Sequence, residues 1–197
     1  MGCGKSSVGR KLSELLCCPF MDLDKDIEAA AGKRIPEIFA EDGEEAFRSL
    51  EADRLSAALA LSDSKAAGPS PYPGMEKCQF RTTVSPQVPQ LCANAMNEGE
   101  IKVLSLGGGT VVGKECAEMV KEKTLCIYLK ASVETLVSHL EGETADRPML
   151  QGESLRERIS SLMTQRSAIY EETAHIIIDT DGKSIDEIAV EIISKAH

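Results

Sequence analysis

The spacing of apolar positions changes repeatedly along this chain, and each change marks a new element. From Lys5 to Leu16, Val8, Leu12, Leu15 and Leu16 recur at helical spacing. A short apolar run from Cys17 to Met21 then ends in Asp22-Leu23-Asp24, which predicts a buried strand with carboxylates at its C-terminal end. Residues 24–61 read as helices, broken between Gly32 and Pro36 and again at Gly43. Residues 101–109 form a β-rich run that stops at three glycines. Helix 115–123, strand 124–130 and helix 132–140 follow, then a polar, turn-rich stretch over 143–153. A long helix over 154–174, a strand over 175–180 and an amphipathic helix over 184–196 close the chain.

Strands that alternate with helices and read as continuous apolar runs predict a parallel sheet covered on both faces, an α/β fold. Residues 62–100 break the alternation: they hold Pro69, Pro71, Pro73, Pro86 and Pro89 and have almost no helical period. They are expected to be a flexible insertion, within which Cys78–Ser85 is a weak strand candidate. A chain of 197 residues suits one domain, spanning 1–197.

Charge narrows the partners. The formal net charge of −10 disfavours nucleic acid and anionic membranes, so an anionic ligand would need a local basic cluster. No run of about 20 apolar residues exists to span a bilayer. The cysteines (Cys3, Cys17, Cys18, Cys78, Cys92, Cys116 and Cys126) form no CxxC pair, which fits reduced thiols in a cytoplasm.

Gly4-Lys5-Ser6 stands directly before the first helix. This is the second half of the phosphate-binding pattern G-x-x-x-x-G-K-[ST]. Its glycines let backbone N–H groups face phosphate oxygens, and the helix N-terminus adds a favourable dipole. Asp22 and Asp24, spaced one residue apart on a strand, would point the same way, one toward a Mg²⁺-bound water and one toward a hydroxyl proton. Gly107, Gly108 and Gly109 let a substrate approach the backbone. Arg48, Arg147 and Arg166 are suited to carboxylate or phosphate. Glu51, one helical turn from Arg48, either orients it or merely pairs with it.

In order, GKSS, DLD, GEEAFRSLE, LGGGTV, ADRPML and QRSAIYEETA resemble the shikimate kinases, P-loop kinases of the nucleoside-monophosphate-kinase type. The resemblance covers nearly everything outside 62–100. It implies a three-layer α/β/α fold with a parallel sheet of order 2-3-1-4-5. It implies ATP and Mg²⁺, with shikimate as a small-molecule substrate and a monomer as the working state. The loop backbone of Gly2, Cys3, Gly4, Lys5, Ser6 and Ser7 would hold ATP phosphates with the Lys5 side chain. Ser6, and Asp22 through water, would hold Mg²⁺. Asp24 would bind the substrate hydroxyls and act as base. Arg48 and Arg166 would clamp the shikimate carboxylate, and Gly107 to Gly109 would line its site. Arg147, on a lid over 141–154, would stabilise the transferring phosphoryl group.

The match has gaps. The first glycine of the phosphate pattern falls before Met1, and so does the strand that should precede it, strand 1 in the middle of the family's sheet. No arginine precedes Arg147 in the lid segment to pack on adenine; His139 is the nearest substitute, and the adenine contact stays unassigned. These departures raise the expectation of a truncated or imperfectly delimited copy. They also leave two competing readings: a catalytically impaired kinase-like binding protein, or another small-molecule P-loop kinase such as a gluconate kinase.

Overall fold

The computed structural model describes residues 2–60, 101–140 and 155–196. The predicted insertion 62–100, the predicted lid 141–154 and Arg147 lie outside the described residues.

The first helix, α1 (Lys5–Leu16), begins and ends where its apolar spacing predicts. Cys17 closes it in the left-handed conformation at φ 50. That turn and Pro19 delay the strand, so β1 is Phe20–Asp22 rather than the predicted Cys17–Met21. The strand also stops before Asp24. Asp22 is the N-cap of α2 (Leu23–Ala31), and Asp24 lies in that helix's first turn. The expectation that both aspartates alternate along one strand is therefore corrected. The helix begins early because acidic residues are favoured in a first turn, where the dipole is positive.

Helices α3 (Ile35–Glu41) and α4 (Gly43–Ala60) follow, separated by Asp42 alone. Then come β2 (Val103–Ser105), a 3-10 turn (Thr110–Val112), α5 (Lys114–Lys123) and β3 (Ile127–Lys130). The chain continues with α6 (Val133–Leu140), α7 (Leu155–Thr173), β4 (Ile176–Asp179) and α8 (Ile185–Lys195). A reciprocal capping box starts α8: Ser184 Oγ accepts from the Glu187 N–H, and the Ser184 N–H donates to the Glu187 carboxylate.

All observed pairings are parallel. β1 pairs with β2 in the register Phe20↔Val103 to Asp22↔Ser105, and β3 pairs with β4 from Ile127↔Ile176 to Lys130↔Asp179. Among the described residues no strand joins the two pairs. The helices bridge them instead. Val8 and Leu12 of α1 pack with Ile188, Ala189, Ile192 and Ile193 of α8, against Leu129 and Ile178, with Val103 and Ile127 at the margin. A second cluster, from Leu23, Ile27, Ile38, Phe47 and Leu55 to Val111 and Val120, covers the opposite face of β2 through Leu104 and Leu106. The result is a three-layer α/β/α arrangement.

Continuous apolar runs predicted strands buried on both faces. In β4 that holds for Ile178, fully buried, but Ile177 is 41% exposed. β4 stands at the end of its pair, and α8 covers the face that carries Ile178.

Candidate active site

The site gathers at the C-terminal ends of β1 and β2, where crevices of parallel sheets receive ligands. Gly4 caps α1 at φ 73, a left-handed conformation that glycine adopts without strain, and its carbonyl accepts the first helical bond from the Val8 N–H. The turn leaves the loop amides at the helix N-terminus, a favourable place for phosphate. Ser6 Oγ donates to Asp22 Oδ2 at 2.7 Å, so the two residues predicted to hold Mg²⁺ are adjacent. One hydroxyl and one carboxylate beside a phosphate cradle match the oxygen-only, partly hydrated coordination that Mg²⁺ prefers.

Asp24 is held close to this pair. Burial chiefly, and the neighbouring Asp22 charge next, push its carboxyl above the usual range, while Lys5 pulls the other way. Its carboxylate lies against Gly107, in space that any Cβ there would enter. Gly109 has the same relation to Arg48: an ideal Cβ would stand 2.8 Å from the guanidinium Nη1. These glycines thus serve close approach of charged side chains to the backbone.

The arginines converge on the same loop. Arg48 Nη1 donates to Glu51 Oε2 at 2.7 Å and Nη2 to Glu44 Oε1 at 3.3 Å. Arg166 Nη1, from α7, donates to the Gly108 carbonyl at 3.2 Å. Asp24, Arg48, Arg166 and Gly107–Gly109 are therefore brought together, as are Lys5, Ser6 and Asp22. Arg147 lies outside the described residues.

Three contributions were not legible beforehand. Glu51 is only 2% exposed, and its other oxygen accepts from Thr110 Oγ1 at 2.7 Å. One buried carboxylate thus ties Arg48 to the turn after the glycines, which decides between orienting and merely pairing. The Tyr170 hydroxyl donates to the Gly108 carbonyl beside Arg166. Arg54 makes a bidentate pair with Asp26 at 2.6 and 2.9 Å and locks α4 to α2. The spacing of Arg166 and Tyr170, one helical turn apart, was a usable signal for the second of these.

A cavity of about 100 Å³ adjoins the site, lined by Leu106 and Gly107 beyond β2, by Ile127, Tyr128 and Leu129 of β3, and by Cys3 and Lys5. It opens between the unjoined strand pairs. Burial pushes the Tyr128 hydroxyl up to about 12, and that hydroxyl is buried with no hydrogen-bond partner among the described residues.

A helix-capped glycine loop, a Ser–Asp pair and an acid among arginines on a parallel α/β scaffold define a phosphotransferase of the P-loop class. The shikimate kinase family model matches residues 1–65 and 79–197. Shikimate kinase of Dictyoglomus turgidum is 36% identical, covering 99% of this chain and 92% of that one. A shikimate kinase of Thermus thermophilus is 34% identical, covering 99% of this chain and 85% of that one. Among solved structures, shikimate kinase from Acinetobacter baumannii in complex with shikimate has a TM-score of 0.76 at 28% identity, covering 100% of this chain and 88% of that one. The shikimate kinase of Aquifex aeolicus has a TM-score of 0.69 at 26% identity, covering 100% and 91%. The chain belongs to the shikimate kinase family.

Proposed function

We propose that this chain carries out the ATP-dependent phosphorylation of the 3-hydroxyl of shikimate, a step toward chorismate and the aromatic amino acids. The observation that carries the reading is the convergence of Asp24, Arg48 and Arg166 on the Gly107–Gly109 backbone. An acidic chain can hold an acidic substrate there because two guanidinium groups are fixed locally.

The roles follow from chemistry. Arg48 and Arg166 hold the substrate carboxylate. Asp24 takes the proton of the reacting hydroxyl as its oxygen bonds to the γ-phosphorus and the bond to the bridging oxygen of ADP breaks. Burial and the Asp22 charge raise its pKa, which makes it a stronger base than a free aspartate. Lys5 and the amides from Gly2 to Ser7 hold the phosphates. Ser6 and Asp22 would hold Mg²⁺, which would offset the negative charge of the phosphates. Arg147, which lies outside the described residues, would supply positive charge to the transferring group. No helix among the described residues is long and apolar enough to cross a membrane. We take the chain to work as a cytoplasmic monomer.

The cavity beside Cys3 and Lys5 favours one second reading, a protein that binds shikimate without turning over ATP, because it leaves the phosphate loop less closely packed than the Arg48–Glu51–Thr110 side. A coupled assay for ADP release with and without shikimate separates the two. Shikimate-dependent release supports the kinase; shikimate binding with no release supports the binding protein. A panel of acceptor alcohols, gluconate included, tests the substrate. Arg48→Ala is expected to raise the KM for shikimate by about tenfold or more, as loss of a charged hydrogen bond does. Unchanged shikimate affinity in that variant would overturn the assignment of the clamp.

A further inference from the structure

The geometry points to His139 as a positioning residue for the phosphate loop, acting with Leu140 through the backbone of Gly2. The inference rests on the reading that this loop holds ATP phosphates. His139 Nδ1 lies 2.8 Å from the Gly2 carbonyl oxygen. A carbonyl only accepts, so the hydrogen must sit on Nδ1, and the contact selects that form of the ring. The next residue, Leu140, is fully buried, and its Cγ is 2.9 Å from where a Gly2 Cβ would stand. Gly2 itself holds φ +70. Two consecutive residues at the end of α6 therefore grip the first described residue of the loop, one by a hydrogen bond and one by filling the space a side chain would need.

The grip has a directional consequence. In a trans peptide the carbonyl and the following N–H point to opposite sides. Drawing the Gly2 carbonyl toward His139 turns the Cys3 N–H away from α6 and fixes the plane of the amide that opens the loop. The gripping helix is itself held at its other end. Ser132 Oγ accepts from the Thr135 N–H, and the Ser132 N–H donates to the Asp181 carboxylate at 3.0 Å. Ala131 and Leu136 anchor α6 in the same cluster as Leu140, where Cys3 also packs. A pre-set amide binds phosphate without the cost of ordering it at each turnover.

The test uses the full chain with three variants at one position. His139→Leu and His139→Ala remove the donor. His139→Asn keeps an N–H donor near the place of Nδ1. Dissociation constants for ADP and KM values for ATP are expected to rise about three- to tenfold in the first two, the range of one hydrogen bond. The KM for shikimate should stay constant, which also reports an intact fold. His139→Asn should recover most of the nucleotide affinity. Equal nucleotide affinity in His139→Leu and wild type would overturn the inference alone, as would equal losses in His139→Leu and His139→Asn. Wild-type protein that binds neither ATP nor ADP would overturn the reading of the loop, and the inference with it.

Discussion

The proposed substrate side and the proposed nucleotide side of the crevice are built on different terms. On the substrate side, polar groups are tied more than once. Glu51 meets both Arg48 and Thr110, Gly108 accepts from both Arg166 and Tyr170, and Arg54 grips Asp26 with two bonds. On the nucleotide side the loop is tied by single contacts, Ser6 to Asp22 and His139 to Gly2, beside apolar packing and a cavity lined by Tyr128, whose hydroxyl has no partner among the described residues. The difference teaches where each half draws its rigidity. Redundant hydrogen bonds, one of them buried, hold these side chains in a set arrangement. Packing around a cavity holds less firmly, because lining atoms that face a void lose their contact partners.

Asp24 stands where the two sides meet, and its loss should give the largest effect. Asp24→Asn is expected to lower kcat by about 10²–10⁴-fold, the usual worth of a general base. It should also stabilise the fold. An ordinary aspartate ionises at about 3.9, whereas folded Asp24 is raised above its usual value by burial. Below the unfolded value both states are protonated and Asp24→Asn changes little. As pH rises past that value the unfolded chain ionises first, so wild-type stability declines until the folded pKa is passed. Melting curves should therefore place Asp24→Asn above wild type at pH 7 and close to it at pH 3. A lower melting temperature for the variant at pH 7 would break the account of the buried charge.

The same shift predicts the acid limb of activity. The kcat of wild type should fall as pH drops through a pKa higher than that of a free aspartate, because Asp24 must be ionised to take the proton. A limb at or below the ordinary value would remove Asp24 from the role of base.

Redundancy on the substrate side predicts a smaller, combined loss. Glu51→Ala leaves Thr110 and Arg48 without their shared partner and should destabilise the fold by about 2 kcal/mol in urea titrations. It should also raise the KM for shikimate, since Arg48 is then free to wander. Stability lost with shikimate affinity intact would mean that Glu51 supports the turn alone.

The smallest effect belongs to the nucleotide side. Tyr128→Phe removes a buried hydroxyl that has no partner among the described residues, and it should leave stability unchanged or raise it by about 1 kcal/mol. A clear loss of stability would show that the hydroxyl is satisfied after all, and would erase part of the contrast between the halves.

Much of the site was legible because its chemistry is local. GKS before a helix, two acids after an apolar run, three glycines after a strand and arginines at motif positions are all short-range patterns. Even so, the reason first given for the aspartates failed. Strand alternation implied that Asp22 and Asp24 share a face, yet Asp24 sits on α2 and reaches Asp22 through the turn at the strand's end. The two aspartates do lie close together, but the turn at the strand's end brings them there rather than strand alternation. Tyr170, Thr110 and His139 were not assigned these contacts, because each acts on backbone or side chains far away in sequence.

By itself the sequence determined the α/β alternation, the bounds of α1 and the acids, lysine and arginines on which phosphoryl transfer would depend. These follow from periods of two and 3.6 residues and from side-chain chemistry, which need no distant partner. Only the tertiary structure decided that β1–β2 and β3–β4 form separate parallel pairs, that Glu51 is buried between an arginine and a threonine, and that the end of α6 grips Gly2. Those facts depend on which surfaces meet when the helices close over the strands, and no local period encodes that meeting.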